Sequence, residues 1–133
     1  MLRVRYPRFW LVIGWLGIAA AIIVCLVPGN ELPNTGMSDK TEHFLCYASL
    51  MCYFSGLYPR SRYWVIAIGL LFMGVAIEFA QNAMHLGRVG DVGDVIANSI
   101  GVAIGLILSL AGVGRWTQWV ESLAGIRAPV HPE

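Results

Sequence analysis

Nine polar side chains stand out in a chain that is otherwise very apolar, and they fall in three short groups. Asp39, Lys40 and His43 form the first, Glu78 and Gln81 the second, and Arg88, Asp91, Asp94 and Asn98 the third. Their types allow acid–base chemistry. A carboxylate one helical turn from an imidazole, as Asp39 is from His43, fixes its tautomer and makes it a base. Glu78 lies inside an apolar run, and an ionisable group there is a functional-site hypothesis by default. His43, Glu78 and Asp94 are therefore the candidate catalytic residues. Asp39, Lys40, Gln81, Arg88, Asp91 and Asn98 are the candidate ligand-binding residues, with Lys40 and Arg88 as counter-charges for a phosphate. Each group also has a plainer reading. Asp39 with Glu42 fits an N-terminal capping box, Gln81 supports Glu78, Arg88 with Asp91 and Asp94 makes a salt-bridge cluster, and Asn98 ties helices together.

The ligand types Asp39, His43, Glu78, His85 and Asp91 also suit zinc or a hard divalent cation. No H-E-x-x-H or equivalent spacing is present, so no metal and no cofactor is assigned. There is no Gly-x-Ser-x-Gly, phosphate-binding loop or Cys-x-x-Cys-His. Cys25, Cys46 and Cys52 sit in apolar runs as small hydrophobes, and the bulky Ile23-Val24 before Cys25 argues against a lipid-modified cysteine.

The elements that carry these groups are apolar helices. Hydrophobic residues make up 57% of the 133 and charged ones 13%, about half the share of a soluble domain. Mean hydropathy is +0.66. Such a chain is an integral membrane protein of one domain, residues 1–133. Its net charge of +1 gives no field to attract nucleic acid. The runs predict an all-α bundle of four transmembrane spans, at about 9–27, 42–58, 63–81 and 94–113. A short interfacial helix at about 115–125 presents Trp116, Trp119, Val120 and Leu123 on one face. The first run is longer than a signal-peptide core and ends in Leu26-Val27-Pro28-Gly29 without a small-x-small cleavage site, so it reads as a retained helix.

Basic residues orient the bundle. Arg3, Arg5, Arg8, Arg60, Arg62, Arg115 and Arg127 are seven of the nine Lys and Arg. With four spans they share one side, which the positive-inside rule makes the cytoplasm. The expected location is the bacterial inner membrane, with both termini cytoplasmic and the polar groups facing outside. Asp91, Asp94, Asn98, Gly101, Gly105 and Ser109 form one stripe of the last span, roughly 80° wide. Gly101-x-x-x-Gly105 within it suits a close helix contact.

The motifs Asp39-Lys40-x-x-His43-Phe44, Glu78-x-x-Gln81 and Arg88-x-x-Asp91-x-x-Asp94-x-x-x-Asn98-x-x-Gly101, in this order between apolar spans, resemble the VanZ-like family of small bacterial membrane proteins. The resemblance implies a membrane location and a cell-envelope role. The name-giving member is linked to low-level resistance to the antibiotic teicoplanin, and no mechanism comes with it. Three functions remain open. The first is a binding or modulating protein for an envelope lipid or a ligand related to glycopeptide antibiotics. The second is a membrane enzyme on a lipid-linked phosphate substrate. The third is a transporter, which would need a homo-oligomer because four short spans are few for a pathway. The partners expected are membrane lipid and a lipid-linked envelope precursor.

Overall fold

The computed structural model describes residues 4–27, 35–84 and 90–125, and all regular structure among them is helical. Helix α1 spans Pro7–Leu26, α2 Asp39–Ser55, α3 Tyr63–Met84, α4 Val92–Ala111 and α5 Trp116–Leu123. Single 3₁₀ turns at Arg60–Arg62 and Val113–Arg115 lead into α3 and α5. The C-terminal ends of α1 and α3 meet the N-terminal ends of α2 and α4, as the bond from Gln81 to Cys25 and the pairing of His43 with Asn98 show.

Among the described residues three helices, not the four expected, are long and apolar enough to cross a membrane: α1, α3 with its preceding turn, and α4. The exception is α2. Its first five residues are Asp-Lys-Thr-Glu-His, and the largely apolar remainder, residues 44–55, covers about 18 Å against a hydrocarbon core of about 30 Å. Pro59 and the preceding Gly56 bar its extension. Instead α2 is an inner helix. Tyr47, Leu50, Met51 and Phe54 on it are core residues, joined by Ala21, Leu70 and Val102 of the long helices. The long helices turn large apolar side chains outward. Phe72 is 72% exposed and Phe79 71%, a surface that suits lipid rather than water.

The closest contact is between α2 and α4. A Cβ at Gly105 would lie 2.7 Å from the Ala48 carbonyl oxygen, and one at Gly101 would overlap the Phe44 carbonyl. Both obstacles are backbone and cannot swing away.

The short helix α5 differs from its expected role in one respect. Trp119, Val120 and Leu123 face outward as a foot would. Trp116 turns inward, packs edge-on against Trp10 and donates from Nε1 to the Tyr53 carbonyl at 3.1 Å. The buried polar residues Thr117 and Glu121 share the inner face. Thr117 donates to the Gly56 carbonyl. The Glu121 carboxylate accepts from Arg5 N at 2.9 Å and from Trp10 Nε1 at 3.3 Å. The cause is an unmet demand at helix ends. Tyr6 at the α1 N-cap supplies no side-chain cap, so amides there need an acceptor from elsewhere, and the last carbonyls of α2 need donors.

Two outcomes are expected in thermal unfolding of the detergent-solubilised protein. Gly101→Ala destabilises by about 1–3 kcal/mol through forced separation of α2 and α4, whereas Gly69→Ala, with nothing within 4 Å of the added methyl, does not. Glu121→Leu costs about 1–3 kcal/mol by leaving the amides of Arg5 and Tyr6, just before α1, without their charged acceptor.

Candidate functional site

The polar groups of α2, α3 and α4 come together at the end of the bundle where those helices begin or finish. His43, Glu78, Gln81, Asp94 and Asn98 are all buried, between 2% and 6% exposed. His43 opens the second turn of α2 because Ser38, not Asp39, caps that helix. The Ser38 hydroxyl accepts from Thr41 N at 3.2 Å. Asp39 is thereby the first helical residue, one turn below His43, and Glu42 accepts from the Thr35 hydroxyl rather than closing a capping box. At α4 the cap is Asp91, whose Oδ1 accepts from Gly93 N at 2.7 Å. Asp94 and Asn98 then follow on the inward stripe.

The centre of the site is the His43 ring. Its Nδ1 lies 3.0 Å from Asn98 Oδ1. A carbonyl oxygen only accepts, so Nδ1 carries the hydrogen. Nε2 points to two carboxylates, Asp94 Oδ2 at 3.8 Å and Asp39 Oδ2 at 4.0 Å. Gly74 on α3 makes room here, since an added Cβ would meet Asn98 Nδ2 at 3.0 Å and the Tyr47 hydroxyl at 3.3 Å. Tyr47 is a buried polar neighbour that sequence reasoning passed over, hidden in an apolar run. Its hydroxyl, Glu78 Oε1, Gln81 Oε1 and Asp94 Oδ1 are buried without a hydrogen bond among the described residues.

Lys40 is already engaged. Its Nζ is 2.7 Å from Asp91 Oδ2 and 3.7 Å from Asp94 Oδ1. The expectation of Lys40 as a counter-charge for phosphate therefore meets a lysine flanked by two carboxylates. Glu78 accepts from Asp91 N at 2.8 Å through Oε2, so it holds the loop leading into α4. Gln81 does not turn to Glu78. Its Nε2 donates to the Cys25 carbonyl at 2.8 Å and fastens the end of α1, which has no further intrahelical donor there. Asn82, not singled out in the sequence, accepts from Gly90 N at 3.0 Å. The other expected counter-charge, Arg88, lies outside the described residues, as does His85.

A cavity of about 280 Å³ opens between α1 and α2 beside this cluster. Gly17, Ala20, Ala21 and Val24 wall its apolar part, and Asp39, Glu42 and His43 its polar end. A larger opening of about 930 Å³ lies toward the other end of the bundle. Trp15, Ile18, Phe54, Leu70 and Arg62 are among its walls, and none of the polar cluster reaches it.

A family model described as VanZ/LLP1 matches residues 11–113. The chain belongs to the VanZ/LLP1 family. The matched span takes in every described polar group of the cluster and stops before α5 with its Glu121 clasp. No curated protein and no solved structure matches the chain.

Within this VanZ/LLP1 protein the Lys40–Asp91 pair has a defined pH signature. The hydrogen bond from Lys40 holds the Asp91 carboxyl below its usual value of 3.8. A depressed carboxylate stabilises the fold above its unfolded value, and the contribution is lost as pH falls through the folded value. Both side chains are about half exposed, 56% and 51%, so the absolute effect is small. The melting-temperature difference between wild type and Lys40→Met is expected to be constant at neutral pH and to shrink as pH drops below 3.8. A difference unchanged into strong acid would show that the pair does not form.

Proposed function

We propose that this VanZ-like membrane protein binds an envelope amphiphile between α1 and α2, with the headgroup at His43 and Asp39. The observation that carries this reading is the cavity whose wall changes from small apolar residues to Asp39, Glu42 and His43 along one opening. Several features support it. Only Gly14, Ala21 and Cys25 of α1 are buried, so α1 is lightly held and the cavity beside it suits lateral entry from lipid. Arg5, Arg8, Arg60, Arg62 and Arg115 gather at the end away from the polar cluster, which favours cytoplasmic termini and an outward-facing site in the bacterial inner membrane. In that setting the ligand is a lipid, a lipid-linked precursor or an acylated antibiotic of the glycopeptide class.

A second reading, an enzyme on a lipid-linked substrate, is favoured by one feature. Asn98 holds the His43 ring through Nδ1, and His43 lines the cavity, the placement a general base requires.

Mass spectrometry of lipids retained by purified protein after incubation with an envelope extract separates the two. Wild type is expected to retain an unchanged amphiphile. His43→Ala, and Ala20→Trp, which fills the apolar part from an exposed position, are expected to lose it. A product formed by wild type alone would establish the enzyme. Equal retention by all three proteins would overturn the cavity as the binding site.

A further inference from the structure

We propose that Asp39, His43 and Asp94 bind one divalent transition-metal cation of the zinc or manganese class. One ligand atom from each residue can be chosen so that all three lie within 4.8 Å of one another. Metal–ligand bonds of about 2.0–2.2 Å place neighbouring ligand atoms of a tetrahedral site about 3.3–3.5 Å apart. The distances of 3.8 and 4.0 Å from His43 Nε2 to the two carboxylates need only a modest contraction. Asp39 is half exposed and in the first turn of α2, one helical turn before His43.

Three further observations point to a cation rather than to an acidic cluster alone. His43 is 96% buried, and among the described residues it is hydrogen-bonded through Nδ1 to Asn98. A metal-ligating imidazole is held in this way, with the other nitrogen donating to a fixed oxygen. Nε2 then faces two carboxylate oxygens, an arrangement that calls for a positive charge at its centre, which a proton on Nε2 or a metal cation in its place supplies. Asp94 Oδ1 is buried without a hydrogen bond and has only Lys40 at 3.7 Å, leaving Oδ2 for the cation. Asp39 and His43 both line the 280 Å³ cavity, which supplies the way in and leaves a coordination position open.

One imidazole and two carboxylates suit a first-row divalent ion better than calcium or magnesium, which prefer oxygen alone. The open position would take an oxygen of the amphiphile's headgroup. That last step rests on the reading of the cavity given above; the metal site itself does not.

The test uses the full chain in detergent, stripped with EDTA and then offered Zn²⁺ alone, with bound metal counted by mass spectrometry after desalting. Co²⁺ is a second probe through its visible absorption. Wild type is expected to retain about one equivalent, and His43→Gln and Asp94→Asn to lose it. Asp39→Asn alters a half-exposed position at the helix start, keeps the fold and is also expected to lose the metal. Asn98→Ala removes the carboxamide that orients His43 and is expected to weaken binding about 10–100-fold. Retention by wild type no greater than by His43→Gln would overturn the site. So would nitrogen NMR showing that both His43 nitrogens keep hydrogens when Zn²⁺ is added, because a second proton then fills the space. Lipid retained by EDTA-stripped protein that takes up no Zn²⁺ would overturn the metal site and leave the amphiphile reading standing. Zn²⁺ bound with no amphiphile retained would do the reverse.

Discussion

The close approach of α2 and α4 sets the geometry of everything else. Gly101 and Gly105 present bare backbone to Phe44, Ala48 and Met51, and no other residue type fits at those two places. This seats a helix too short and too polar at its head to face lipid along its length inside the bundle. It also brings His43 to Asn98, one turn before Gly101 on the α4 stripe. The polar site is thus a consequence of a packing contact. Where two helices meet through glycine, the side chains on the next turn are brought into direct contact.

The two ends of the bundle deal with their unsatisfied backbone in opposite ways. At the basic end α5 turns its polar face inward. Glu121 serves the amides of Arg5 and Tyr6 that lead into α1, while Thr117 and Trp116 serve the last carbonyls of α2. Arg60 does the same for the Leu110 carbonyl at the end of α4. That end is closed. At the other end the caps are local, Ser38 for α2 and Asp91 for α4, and longer side chains are left to face one another. Burying ionisable groups among lipid-facing helices is costly unless they pair or meet a ligand. Several oxygens there do neither among the described residues.

Charge narrows what the open end can hold. Asp39, Glu42, Glu78, Asp91 and Asp94 gather around Lys40 and His43. With Lys40 drawn to two carboxylates, the described groups leave an acidic excess. Such an excess favours a positive charge at this end, in keeping with the cation proposed above.

Sequence alone determined the membrane character, the helical class and the approximate limits of every helix, because apolar run length and breaker residues are local properties. It also singled out His43, Asp94 and Asn98, since a polar residue on an apolar helix needs a partner wherever that partner lies. Tertiary structure alone decided which partner. Gln81 serves Cys25 rather than Glu78, and Lys40 is engaged by Asp91 and Asp94. Asp94 joins Asp39 and His43 from another helix. It also decided that α2 is an inner helix and that α5 buries its polar face. Those outcomes depend on which helix ends are left without donors or acceptors once the bundle is assembled. A helix period shows which residues share a face, but the choice of facing helix is made by the glycine contact and the unmet backbone groups around it.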